Sequence, residues 1–244
     1  MGRKDRRPLR ALASELQRAH PELADPEALI REGVVLVDGR VVVNPASLVR
    51  AGSSLALRRE TPLRGELKLH AALVHFELCV NGRVVLDLGV AAGGFTRALL
   101  AAGATRVYAV DAGYGQLLGS LRQDARVVNL ERTNLGELDT ALVPEPVDVV
   151  AIDLSYLPVA RAVAQLERID IAPDADLVAL VKPMFELALA SPPTSPSELA
   201  RAVERARDGI EAAGWRVEAV VESPVRGKRG AIEYFARAKR RSDV

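Results

Sequence analysis

Beyond Glu66 the chain settles into a regular alternation of short apolar runs and segments of helical period, and no other feature restricts its fold so severely. In order it reads helix ELKLHAALVHFEL, strand RVVLDLG, helix FTRALLAAG, strand RVYAVDAG, helix YGQLLGSLR, strands ARVVNLER and VDVVAIDLS, helix PVARAVAQLER, strand DLVALVKP, helix SELARAVERARDGIEAAG, and strands WRVEAVVESP and GAIEYFARAK. Strand followed by helix, repeated, predicts a parallel sheet covered on both faces, because a parallel neighbour is reached only through a crossover. The last two strands are joined by a short Gly-Lys-Arg-Gly link, which demands an antiparallel hairpin at one edge. The expected class is α/β, with a Rossmann-like, mostly parallel sheet of seven strands.

In such a sheet ligands bind beyond the carboxyl ends of the strands, where the winding reverses, and the first strand normally sits beside that point. The stretch VVLDLGVAAGGFT places Asp87, Gly89, Gly93 and Gly94 there. A dinucleotide fingerprint wants Gly-x-Gly-x-x-Gly to bring a pyrophosphate against a helix N-terminus. Here the spacing differs, and a carboxylate stands just ahead of the loop. That anion favours a ligand carrying an amine or sulfonium cation, as S-adenosylmethionine does, while the glycines allow close approach of backbone. Asp111, closing the second strand, is placed to accept both hydroxyls of a ribose. A plain tight turn, with Asp87 capping the next helix, is the structural alternative.

Later strand ends carry further polar residues, Asp153 in VVAIDLSY and Lys182 in LVALVKPMF, each after an apolar run of the buried-strand type. Both are expected at the same rim as Asp87 and Asp111. Lys68, on the helix before the first strand, and Glu233, in the last strand, are candidates for a second amine and a second carboxylate. The segments GELKLHAAL, LDLGVAAGGFT, RVYAVDAGYGQL, LERTN, VDVVAIDLSY, LVALVKPMFE and AIEYF together resemble the TlyA (hemolysin A) family of ribosomal RNA 2′-O-ribose methyltransferases. That family has an FtsJ-like class I methyltransferase core and an N-terminal RNA-binding domain. The resemblance implies a Lys68-Asp153-Lys182-Glu233 catalytic tetrad. It implies a cofactor site for S-adenosylmethionine at Asp87, Gly89, Gly93, Gly94, Phe95 and Asp111, with Glu131 to Asn134 near the adenine. It also implies RNA as partner, either ribosomal RNA or ribosomal subunits. A ribose hydroxyl is a poor nucleophile at neutral pH, so the chemistry requires alignment and help in removing a proton. Lys182 is the candidate: neutral, it serves as base; charged, it orients the hydroxyl and stabilises alkoxide charge.

The sequence departs from the family at two places near this site. Leu63 and Glu66 replace the serine and second glycine of its Ser-Arg-Gly-Gly-Leu-Lys-Leu entry segment, and the stretch LALASPPTSPSEL after KPMFE has no lysine or arginine where the family commonly has a basic loop. Two alternatives therefore stay open: a methyltransferase of a smaller or non-RNA acceptor, and a non-catalytic RNA-binding protein. Membrane lysis, suggested by the hemolysin label, has no amphipathic or spanning segment behind it.

Residues 1–60 read as a small α+β domain of RNA-binding type, 61–65 as a linker and 66–244 as the catalytic domain. In the first part a helix over LRALASELQ breaks at His20-Pro21, a second opens after Asp25-Pro26, and VVLVDGRVVV carries the Asp-Gly signature of a hairpin, with SSLALR as third strand. Both ends are basic; residues 226–244 hold seven basic against two acidic groups. GRKDRR and RAKRRSDV are thus either solvated tails or faces toward a polyanion. No apolar run reaches the roughly 18 residues of a membrane span, and no secretory leader is evident, so a cytoplasmic protein is expected. Cys79 is the only cysteine, and with His20, His70 and His75 it makes no zinc pattern, so no metal is expected. The oligomeric state is left open.

Overall fold

The computed structural model describes residues 7–57 and 61–241. The chain divides into two compact units at the Thr61–Pro62 junction. Of the two basic ends, Gly2–Arg6 and Ser242–Val244 lie outside the described residues, as does 58–60 of the segment between the units.

The first unit contains β1 (Leu9–Ala11), α1 (Leu12–Ala19), α2 (Pro26–Arg31), β2 (Val35–Val37), β3 (Arg40–Val41), β4 (Leu48–Arg50) and β5 (Leu55–Leu57). Asp25 starts α2 as expected, its carboxylate accepting the Ala28 N–H at 2.9 Å with Pro26 next in the first turn. Asp38 and Gly39, with φ of 48° and 81°, make the left-handed turn that joins β2 to β3, and β5 pairs with the other side of β2. Leu9–Ala11 differs from expectation. It forms a strand with Leu48–Arg50 rather than the start of a helix, because pairing with a distant partner outweighs a local helical period. Leu12, Leu16, Ile30, Val35 and Val49 form the core. Glu15, buried among them, accepts from Arg18 at 2.6 Å and from the Gly52 N–H at 2.9 Å, which fixes α1 to the turn after β4.

The second unit runs α3 (Arg64–His75), β6 (Val84–Leu88), α4 (Gly94–Ala101), β7 (Arg106–Asp111), α5 (Gly119–Arg122), β8 (Val127–Glu131), β9 (Val147–Ile152), α6 (Val159–Val163), β10 (Ile171–Val181), α7 (Pro183–Glu186), α8 (Pro196–Ala212), β11 (Trp215–Glu222) and β12 (Tyr234–Arg240). Its seven strands lie in the order β11-β12-β10-β9-β6-β7-β8, and all neighbours are parallel except β12, which runs antiparallel to both β10 and β11. The winding goes outward from β6 through β7 to β8, then returns to β9 on the other side of β6. The reversal therefore falls between the carboxyl ends of β6 and β9.

Two apolar layers, one on each face of the sheet, make up the core. Leu86, Leu88, Val150 and Ile152 face α6 and α8, and Val85, Val149 and Ala151 face α3 and α4. Helix α8 shows why such segments fold as they do: Ser195 caps it through the Glu198 N–H, Pro196 opens it, and Leu199, Ala202, Ala206 and Ile210 form its buried stripe. Asp176, buried within β10, pairs with Arg83, Lys239 and Arg237 at 2.6, 2.8 and 3.4 Å. The basic run read as either a tail or a face toward a polyanion is thus, through Arg240, part of the last sheet strand, one residue beyond the expected GAIEYFARAK, with Arg237 and Lys239 paired to buried Asp176. Arg64 and Gly65, expected in a linker, already belong to α3, and α5 covers only the last four residues of its expected span.

Candidate active site

The loop after β6 is built by glycine. Gly89 has φ of 91°, and a Cβ there would lie 2.4 Å from the Asp153 carbonyl oxygen, so only glycine lets β6 and β9 approach this closely at their ends. Gly93 has φ of 95° and sits against Leu117 and Leu121, while Gly94 begins α4 flush with the backbone of Gly65 and Glu66. Asp111, closing β7, accepts the Ala91 N–H at 2.8 Å with one oxygen and the Gly113 N–H at 2.7 Å with the other. One carboxylate thereby holds both the first and second strand-end loops.

Asp87 takes a different place from its neighbours. It is fully buried, accepts the Thr96 hydroxyl at 2.7 Å and has one oxygen with no hydrogen-bond partner. Burial, together with the nearby charges of Asp153 and Asp111, pushes its carboxyl up to about 7. It lines neither of the two cavities that meet above this loop, and it supports the loop from behind. Glu131 also lies behind the wall, accepting the Gln116 N–H at 3.1 Å, and Asn134 opens a short helical turn whose Glu137 carboxylate accepts the Asn134 N–H at 2.8 Å. Phe95 is buried, stacks on Phe235 with centroids 6.1 Å apart and reaches the cavity wall.

Two cavities meet above the winding reversal, sharing Gly89, Ala91, Asp153 and Ser155 in their walls. The smaller, about 180 Å³, is lined by Asp111, Asp153, Thr133, Leu135, Leu154 and Tyr156 among others, with two carboxylates and no lysine or arginine. The larger, about 760 Å³, contains all four of Lys68, Asp153, Lys182 and Glu233. Within it the side chains form two pairs. Lys68 on α3 bonds Glu233 at the head of β12, both buried; Lys182 at the end of β10 lies 2.6 Å from an Asp153 oxygen and donates to the Ser155 hydroxyl at 2.7 Å.

Residues 62–240 match the FtsJ-like methyltransferases. The chain belongs to that family. A curated relative is the 16S/23S rRNA (cytidine-2′-O)-methyltransferase TlyA of Mycobacterium tuberculosis, 39% identical over 88% of this chain and 83% of the relative. Among solved structures, a hemolysin-named protein of Streptococcus thermophilus superimposes with a TM-score of 0.71 and 27% identity over 97% of this chain and 90% of that one. Another from Lactococcus lactis gives 0.70 and 30% over 74% and 89%. The FtsJ-like fold, class I with its seven-stranded sheet, is thus the expected one.

The smaller cavity suits the cofactor of an FtsJ-like enzyme. A wall with two acids and no cation repels a pyrophosphate and accommodates the sulfonium and ammonium of S-adenosylmethionine. Glu66, the acid where the family usually has glycine, does not point into the substrate side unopposed. Its carboxylate accepts the Leu63 N–H at 3.1 Å, which caps α3, and pairs with Arg97 at 2.8 Å. Sequence reasoning reached Thr133 within the span Glu131 to Asn134, but missed Ser155, Tyr156, Met184, Arg64 and Lys228 in the cavity walls. Only Ser155 had a legible signal, as the hydroxyl two residues beyond Asp153 at a strand end.

Proposed function

We propose that this protein transfers a methyl group from S-adenosylmethionine to a ribose 2′-hydroxyl of structured ribosomal RNA, in the cytoplasm, with Lys68, Asp153, Lys182 and Glu233 as the catalytic group. The observation that carries this reading is the meeting of both lysine–carboxylate pairs in one cavity that adjoins the glycine loop. The substrate class is taken from the Mycobacterium tuberculosis relative, whose name specifies cytidines of 16S and 23S rRNA.

When bound, S-adenosylmethionine supplies a methyl made electrophilic by the adjoining sulfonium. Gly89, Gly93 and Gly94 give the loop its close path, Asp111 presents its carboxylate at the smaller cavity, and Asp87 and Glu131 hold the surrounding loops. Lys182 Nζ is fixed between Asp153 and Ser155, so its position is set before any acceptor arrives. From there the amine orients the incoming hydroxyl and either takes its proton at Nζ or stabilises the developing alkoxide. Lys68 and Glu233 form the adjoining wall and keep α3 and β12 together.

The test is methyl transfer from labelled cofactor to ribosomal RNA or ribosomal subunits, wild type beside Lys182→Ala, with cofactor affinity measured by calorimetry on both. A loss of transfer of about 10² to 10⁴-fold with cofactor binding retained is expected. Label found only in small-molecule fractions would instead establish a smaller acceptor, the reading favoured by the absence of lysine and arginine from the stretch after Glu186. Cofactor binding without transfer by wild type to any acceptor would sink the enzymatic reading.

A further inference from the structure

The larger cavity is lined by four cations, Arg64, Lys68, Lys182 and Lys228, against two carboxylates, Asp153 and Glu233. Lys68 and Lys182 neutralise those carboxylates within the wall. Arg64 and Lys228 remain over. Both are exposed, and neither side chain has an ion-pair or hydrogen-bond partner among the described residues. A cavity that places two uncompensated cations beside a paired catalytic group has a net attraction for an anion.

Both cations sit on firm supports. Arg64 is the first residue of α3, and the next residue, Gly65, lies against the Gly94 backbone at the start of α4. Lys228 lies in the loop from β11 to β12, where the Gly227 N–H bonds the Ala231 carbonyl at 2.8 Å and the Ala231 N–H bonds the Lys228 carbonyl at 3.2 Å. Gly227 lets this loop rest on the catalytic group itself, since a Cβ there would lie 2.2 Å from the Glu233 carboxylate. The two supports are joined by the Lys68–Glu233 pair, so the free cations flank the group that acts on the acceptor. The stretch Leu187–Leu199 contributes no cation to this region.

We propose that Arg64 and Lys228 bind phosphodiesters next to the acceptor ribose, supplying from α3 and the β11–β12 loop the phosphate contacts that the stretch after Glu186 lacks. The proposal deepens the function given above and rests on that reading for the nature of the anion. It makes RNA backbone, rather than a neutral small molecule, the occupant of this wall.

The experiment uses the full chain and in vitro transcribed ribosomal RNA, comparing wild type, Arg64→Ala/Lys228→Ala, and a control of equal charge loss on exposed positions of α8, Arg201→Ala/Arg207→Ala. RNA affinity is measured as a function of salt, alongside methyl transfer and cofactor affinity. Removal of two phosphate contacts should lower the slope of log affinity against log salt by about 1.4 to 1.8 and raise the KM for RNA about tenfold, with cofactor affinity unchanged. The control should retain the wild-type slope. Equal slopes in wild type and the cavity variant, or an equal drop in the control, would overturn the proposal. RNA binding by wild type without methyl transfer would defeat the function proposed above, yet a slope change confined to the cavity variant would still support the phosphate site. No RNA binding by wild type defeats both.

Discussion

Lys68 and Lys182 each face one carboxylate, yet their removal should have different consequences. The Lys68–Glu233 pair has side chains only 6% and 7% exposed, so Lys68→Ala strands a carboxylate in the interior and should cost about 3–5 kcal/mol in urea unfolding. Lys182 and Asp153 are 12% and 22% exposed at the cavity wall, where water reaches the carboxylate left behind. Lys182→Ala should therefore spare stability more than Lys68→Ala while removing turnover. Asp87 sets a pH dependence of its own. Burial lifts its folded carboxyl to about 7 from an ordinary 3.8, so the group's contribution to stability is complete below about 4 and declines as pH rises toward 7. Asp87→Asn, which can still accept from Thr96, should flatten that decline in urea midpoints measured from pH 4 to 8. A wild-type curve that rises across the same interval would contradict the assignment. Asp87 also shows what a strand-end position leaves unsaid: a carboxylate there reads as a ligand contact, and its depth and its bond from the Thr96 hydroxyl are visible only in the structure.

At the scale of elements, the strands of the second unit were legible because buried parallel strands leave unbroken apolar runs, and most helices because of their caps and stripes. The start of helix α5 was not legible. The sequence YGQLLGSLR has helical composition, but Gly115 takes φ of 69° and the Gln116 and Leu117 N–H groups turn to the Glu131 carboxylate, so the helix starts only at Gly119. A side chain from β8 replaced the carbonyls that a first helical turn supplies. The link between α7 and α6 was equally hidden. Glu186, buried four residues after Lys182, accepts the Val159 N–H at 2.8 Å and so ties the start of α6 to the element that follows Lys182. The segment between, Asp153 to Pro158, carries Asp153, Ser155 and Tyr156. Glu186→Ala should lower kcat about tenfold through loss of this alignment. Glu186→Gln, which retains an acceptor, should recover most of it in the same transfer assay.

In the whole molecule the two units have separate apolar cores, and each can be perturbed separately. In the first, the Arg18 guanidinium and then the Gly52 N–H hold Glu15 well below its usual 4.5, at about 2. Its stabilisation is present above about 4.5 and is lost as pH falls toward 2. Glu15→Gln should remove this acid sensitivity from the first unit in tryptophan-independent probes such as amide exchange, since Trp215 reports on the second. The terminal hairpin was expected at an edge, but which strand lies outermost is set by its two faces. β11 alternates buried Trp215 and Val217 with exposed Arg216 and Glu218 and takes the edge, while β12, with Phe235, Ala236 and Ala238 buried, lies inside beside β10.

That inner position of β12 imposes an order in time. Lys68 and Glu233 stand 165 positions apart, and the later partner is held at the head of β12, so their pair closes only once that strand has entered the sheet. Before β12 docks, β10 lacks its neighbour and Lys68 its counter-charge. The wall of the larger cavity is therefore complete only once this strand is seated between β10 and β11.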